Sequence, residues 1–280
     1  MSDKPLAGDV AVVTGSSRGI GRGIAVGLGE QGATVYVTGR SVGDGPLTID
    51  TTAAMVTDAG GRGIPVQTDF GDDAAIEALF AQIAADHGRL DIHVNNAFKI
   101  PDPPVWGGKF WEHPIQVWDD QVGIGLRAAY VASVHAAKLM MTTDDSRRFM
   151  VNISSSGSER YALSASYGIA KSGNDRLVRD FAVEGKEDGL VVVGLWPSQV
   201  LTEFIVASIE AGDIELEEEH AETPLYTGRV IATLAADPSR AERSGQVFTT
   251  AELAVHYDLR DERGKQPTGK RHPTLFRTPV

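Results

Sequence analysis

Tyr167 and Lys171 lie four residues apart in Tyr167-Gly168-Ile169-Ala170-Lys171, and on a helix that spacing puts a phenol and an ammonium on one face. A phenol ordinarily ionises near pH ~10, and a neighbouring ammonium favours the phenolate, lowering that value toward the working pH. Tyr167 could then pass a proton to and from a carbonyl or alcohol oxygen. Taken alone, such a pair is most often an ordinary helix-surface contact. Its company suggests chemistry: a glycine-rich turn near the N-terminus, Asn95-Asn96-Ala97, and Asn152-Ile153-Ser154-Ser155 shortly upstream.

The elements that must position these residues read as alternating strands and helices. Val10-Ala11-Val12-Val13 is a short apolar strand that runs into Thr14-Gly15-Ser16-Ser17-Arg18-Gly19-Ile20-Gly21 and then a helical pattern with Ile24, Ala25, Val26 and Leu28. Gly15, Gly19 and Gly21 let the backbone approach a pyrophosphate, and the free N–H groups at the helix start favour its charge. A second strand, 34–38, ends in Gly39-Arg40-Ser41, where a dinucleotide fold meets the adenosine ribose. No acid stands there to accept from a 2′-hydroxyl, whereas Arg40, with Arg18 from the glycine turn, suits a 2′-phosphate. NADP(H) is therefore expected over NAD(H). A third strand, 63–68, ends at Asp69-Phe70, and a fourth, 90–94, delivers Asn95, Asn96 and Ala97 at its carboxyl end, where ligands sit in an open α/β sheet.

Further strands are expected at 149–154, 190–195 and 246–249, with a long helix from Trp118 to Met141 and another carrying Tyr167 and Lys171. Together they give one α/β domain over 1–260, a Rossmann-type doubly wound parallel sheet of about seven strands flanked by helices on both faces. An aromatic-rich loop from Phe98 to Pro114 reads equally as a substrate-pocket wall or as an ordered surface loop. A lid is expected at about 198–225, with Glu215, Glu217, Glu218 and Glu219 on a solvated helix face. Residues 261–280 read as a surface arm.

The net charge of -12 speaks against a nucleic-acid partner, which requires a clustered positive surface. With no cysteine there are no disulfides or thiolate sites. No stretch is long and apolar enough to span a membrane, and residues 1–9 lack the pattern of a secretion signal. A soluble cytoplasmic protein is expected. The seven histidines show no ligand spacing, so no metal is expected.

By their order and spacing these residues resemble the short-chain dehydrogenase/reductase family over roughly the first 250 positions. Its motifs stand here as Thr14-Gly15 with Gly19-Ile20-Gly21, as Asn95-Asn96-Ala97, and as Tyr167 with Lys171. A closer likeness to the dehydrogenase/reductase member 1 subgroup lies in Phe110-Trp111-Glu112, Trp118-Asp119-Asp120, Gly125-Leu126-Arg127 and Tyr257-Asp258-Leu259-Arg260-Asp261. The resemblance implies that Ser155, rather than Ser154 or Ser156, is the catalytic serine beside Tyr167 and Lys171. It implies that Ser17, Arg18, Ile20, Arg40, Ser41, Asn96 and Ala97 join the glycines in holding the cofactor. By the same resemblance, Asp69 and Phe70 flank the adenine, and Pro197, Val200 and Thr202 meet the nicotinamide side. The implied reaction is hydride transfer between NADP(H) and the carbonyl or secondary alcohol of a small hydrophobic molecule, in a homodimer or homotetramer.

Three positions depart from the family pattern. Gly125 stands where most members have asparagine, so a carbonyl-held water relaying protons to the lysine needs another anchor or is missing. Phe98 replaces the common glycine after Ala97, and Ser198 replaces the glycine after Pro197. Gly125 and Ser198 motivate an alternative, a nucleotide-binding sensor or scaffold with little turnover. An epimerase or dehydratase is disfavoured by the short C-terminal region.

Overall fold

The computed structural model describes residues 4–105, 107–144, 147–212, 216, 221–266 and 268. Seven parallel strands form the main sheet: β1 (Val10–Val13), β2 (Thr34–Gly39), β3 (Arg62–Gln67), β4 (Ile92–Asn95), β5 (Phe149–Ile153), β6 (Val191–Trp196) and, after a short pair β7 (Gln199–Val200) and β8 (Ala221–Glu222), β9 (Val247–Thr249). Their order is β3-β2-β1-β4-β5-β6-β9. Every residue of β1, β4, β5 and β6 is buried, as strands covered by helices on both faces must be. β3, at one edge, alternates between exposed and half-buried positions.

The helices are α1 (Gly19–Glu30), α2 (Ile49–Asp58), α3 (Asp73–His87), α4 (Ile115–Trp118), α5 (Ala128–Met140), α6 (Ala165–Glu184), α7 (Glu203–Glu210), α8 (Pro224–Ala236) and α9 (Thr250–His256). One apolar layer joins Ile24 and Leu28 of α1 to Tyr226 and Val230 of α8. The other joins Ile76, Leu79 and Phe80 of α3 to Ala132, Met150 and Val178. β1 is bonded to β2 on one side and β4 on the other. The chain order reverses there, so the loops leaving β1 and β4 diverge and open a crevice at the strands' carboxyl ends.

The helix expected from Trp118 to Met141 is not uniform, because a π-helical stretch, Asp119–Arg127, joins α4 to α5. Such stretches gather at functional sites, and the buried Gln121 within it holds the start of α6 by accepting from Ser164 Oγ at 2.7 Å and Ser166 Oγ at 2.5 Å. The expected surface arm begins by packing on the body. Asp261 is buried, its Oδ1 accepts from the backbone N–H groups of Arg263 and Lys265, and Arg263 donates to the Ala221 carbonyl at 2.8 Å. The acidic face at Glu215, Glu217, Glu218 and Glu219, Trp106 of the aromatic loop and residues 269–280 lie outside the described residues.

Candidate active site

α1 starts without a side-chain N-cap, whereas Thr48, Asp72 and Ser164 cap α2, α3 and α6. Its first N–H groups are therefore left for a ligand or another part of the chain. Gly15 and Gly19 have φ of +65° and +57°, the left-handed region that favours glycine. A Cβ at Gly15 would lie 2.8 Å from Ala97 Cα, and one at Gly21 would lie 2.4 Å from both Asn96 Nδ2 and the Gly15 carbonyl. The turn is thus moulded against Asn96-Ala97. Asn96 Nδ2 donates to the Thr14 and Gly15 carbonyls, each at 2.9 Å, so its amide braces the turn.

At the end of β2, Arg18 donates to Ser41 Oγ at 3.1 Å, and Arg40 is exposed. Asp69 is exposed as well, but Phe70 is buried in the core layer with Ile76 and Phe80. Its ring is part of that packing. Thr202 reaches the glycine turn, where a Cβ at Gly19 would meet its methyl at 3.3 Å. Val200 is buried in β7, and Pro197 is half-buried just before it. A glycine cradle at the start of α1 and a cationic strand end fit a dinucleotide.

Ser155 follows β5, and its Oγ lies 2.9 Å from the Tyr167 hydroxyl. The neighbouring serines face elsewhere: Ser154 donates to the Lys171 carbonyl at 3.1 Å, and Ser156 accepts from Arg160 at 3.2 Å. Gly157 lets the tyrosine approach, since a Cβ there would sit 2.5 Å from Tyr167 Cε1. Lys171 is buried and donates to the Ile153 carbonyl at 3.2 Å. Burial pushes its ammonium down to about 8, opposed by the Asp175 carboxylate. The phenol behaves differently from the sequence expectation. Burial raises Tyr167, and the Ser155 hydrogen bond opposes this, so desolvation favours the protonated phenol. In the free protein Tyr167 holds its proton.

Below these groups runs a polar chain. Asn95 Nδ2 donates to Ser133 Oγ at 2.8 Å and to Asn152 Oδ1 at 2.9 Å, while its Oδ1 lies 2.9 Å from His93 Nε2. Burial pushes His93 down to about 4, leaving it neutral. Asn174 of α6 donates to the Gly125 carbonyl at 2.7 Å. The aromatic loop divides: Phe98 packs at the site with its ring centroid 5.6 Å from that of Tyr167, whereas Phe110 and Trp111 are 68% and 67% exposed and meet each other edge to face.

The model for the family described as short chain dehydrogenase matches residues 9–211. The chain belongs to that family. Its short-chain dehydrogenase relatives include mouse Dehydrogenase/reductase SDR family member 1, 37% identical over 273 residues, covering 93% of this chain and 85% of the mouse protein. A Cis-4-hydroxycyclohexanecarboxylate dehydrogenase from Sinomonas cyclohexanicum is 34% identical over 197 residues, 70% of this chain and 75% of that protein. Among solved structures, a short-chain dehydrogenase/reductase from Serratia marcescens superposes with a TM-score of 0.75 at 28% identity, over 88% of this chain and 97% of that one. As a short-chain dehydrogenase/reductase, the chain is an enzyme of a family that uses NAD or NADP. Among the described residues, no group of three or more acidic or histidine side chains could hold a metal, and no helix is long and apolar enough to cross a membrane.

Two charged residues at this dehydrogenase site carry no recognisable sequence signal. Glu203, at the start of α7, accepts from the Gly19 N–H at 2.8 Å and from Arg22 at 3.1 Å, tying α7 to the glycine turn. Glu222, fully buried in β8, accepts from the Ser198 N–H at 2.9 Å and so holds the loop after Pro197. Burial pushes the Glu222 carboxyl up to about 8, against an ordinary value of 4.5. A raised acid stabilises the fold fully below its unfolded value, and that stability is lost as pH rises through the folded one. Glu222→Gln keeps the acceptor for Ser198 and removes the ionisation. Its melting temperature is expected to exceed the wild type's increasingly from about pH 5 to about pH 8, by roughly 2–4 °C for each kcal/mol. A pH-independent difference would show that Glu222 does not titrate in this range.

Proposed function

We propose that the chain is an NADP(H)-dependent oxidoreductase that transfers a hydride between the nicotinamide and the carbonyl or secondary-alcohol carbon of a small hydrophobic substrate. The observation that carries this reading is the 2.9 Å contact of Ser155 Oγ with the Tyr167 hydroxyl, backed by the buried Lys171. The bound nicotinamide supplies or accepts the hydride. Ser155 Oγ already accepts from the Gly157 N–H at 3.1 Å, so its own proton is available to a substrate oxygen. Tyr167, protonated in the free protein, gives its proton to that oxygen as charge develops during reduction. Lys171 supports the phenolate left behind and holds the nicotinamide ribose. In oxidation the proton moves the other way. The Sinomonas relative, by its name a dehydrogenase of a hydroxycyclohexanecarboxylate, supports a ring-sized secondary alcohol or ketone.

The coenzyme preference rests on Arg18, Arg40 and Ser41 at the end of β2. Arg40→Asp is expected to reduce the ratio of NADPH to NADH efficiency at least roughly tenfold, the weight of one charge-assisted hydrogen bond. Steady-state kinetics with both coenzymes measures this, and an unchanged ratio would remove Arg40 as the phosphate reader. A homodimer or homotetramer is supported by apolar side chains left in solvent on α5 and α6, Tyr130 at 51% and Val183 at 77% exposed. Light scattering tests that assembly.

A further inference from the structure

The two departures at 98 and 125 form a single packed unit. A Cβ at Gly125 would stand 2.8 Å and 3.1 Å from Cδ2 and Cε2 of the Phe98 ring. The ring and any side chain at 125 therefore compete for one space. The ring touches both chemical groups: Lys171 Nζ stands over it, 4.9 Å from its centroid, and Tyr167 meets it at an interplanar angle of 89°. The Gly125 carbonyl accepts from Asn174, so the backbone that the glycine exposes is engaged by α6.

A buried ammonium needs more than one carbonyl acceptor to stay charged, and an aromatic face is a source of negative potential that excludes water. We propose that Phe98 is a positioning residue of the reaction: its ring face keeps the Lys171 ammonium charged and in place beside Tyr167, and Gly125 supplies the space the ring needs. The charged and titratable groups around Lys171 are few. On α6 they are Tyr167 and Asp175, the latter accepting from Trp196 of β6 and facing Arg179. Lys99, beside Phe98, is paired with Asp120 of the π stretch at 2.7 Å. After β5 come the hydroxyls of Ser154 and Ser155. Phe98 is thus the contact that can be changed without touching a charge.

The proposal rests on the reading of Tyr167 and Lys171 as the proton-handling pair, and its test separates the two. The pH profile of carbonyl reduction and the side-chain nitrogen-15 resonance of Lys171 in the NADPH complex are followed in wild type, Phe98→Leu, Phe98→Tyr and Gly125→Ala. Leucine keeps the apolar volume but loses the π face. Both the alkaline limb of the profile and the lysine titration are expected to move to lower pH by roughly 0.5–1 unit, with NADPH affinity retained. Phe98→Tyr should restore both, and Gly125→Ala, which pushes the ring off the lysine, should move them as leucine does. An unmoved lysine titration in Phe98→Leu and Gly125→Ala, or equal shifts in the leucine and tyrosine variants, would overturn the role of the ring. A lysine titration that moves as expected in a protein without turnover would uphold the ring's hold on Lys171 and overturn the proposed function instead.

Discussion

Tyr167→Phe is expected to bind NADPH as the wild type does while carbonyl reduction falls roughly 10²–10⁴-fold, the usual contribution of a positioned proton donor. The substitution removes one oxygen, the atom 2.9 Å from Ser155 Oγ. The phenyl ring keeps its contact with Phe98 and its seat against Gly157, and Lys171 keeps its bond to the Ile153 carbonyl. Binding and chemistry should therefore separate. Fluorescence titration with NADPH reads the first and steady-state turnover the second; turnover equal to wild type would remove Tyr167 from the mechanism.

Gly23→Ala should be among the most damaging single-methyl changes in the chain. Its Cβ would fall 1.9 Å from the carbonyl oxygen and 2.1 Å from the carbonyl carbon of Pro224, the first residue of α8. Both obstacles are backbone, so no rotamer relieves them. The contact is mutual, since a Cβ at Gly228 would lie 2.0 Å from the Gly23 carbonyl oxygen. α1 and α8 would have to part, loosening the buried packing of Ile24, Tyr226 and Val230. Overpacking of this kind costs about 1–3 kcal/mol or more, and the melting temperature should fall by roughly 2–4 °C for each kcal/mol. Because α1 also leads directly out of the glycine turn, NADPH affinity should weaken with it. Gly123→Ala is the control, since nothing lies within 4 Å of a Cβ there. Equal melting temperatures for the two variants would contradict the close helix crossing.

Local pattern made most of the fold legible. The apolar runs that became β1, β5 and β6 needed only composition and length, and the order of strand, glycine turn and helix fixed the crevice. Tyr167, Lys171 and Ser155 were recognisable because spacing and family motif agreed, and the structure brings the three together. What escaped depended on contacts between distant segments. Phe98 and Gly125 were readable only as two separate departures, because their coupling is a clash distance. The π stretch interrupts a sequence whose apolar period runs on through it. Glu222 looks like one more acid after Glu215, Glu217, Glu218 and Glu219, and nothing local marks it as buried. The Tyr167 phenol shows the same limit: the lysine at i+4 was visible, whereas the burial that raises the phenol is a property of the folded chain.

The most direct test of the account is the loss of NADPH's near-ultraviolet absorbance when the wild-type protein meets a panel of cyclic ketones, steroids, quinones and aldehydes, with NADH run in parallel. The account predicts turnover of at least one apolar carbonyl, faster with NADPH than with NADH at equal concentration. Tight NADPH binding with no turnover across the panel would contradict it and favour a protein that binds the nucleotide without consuming it.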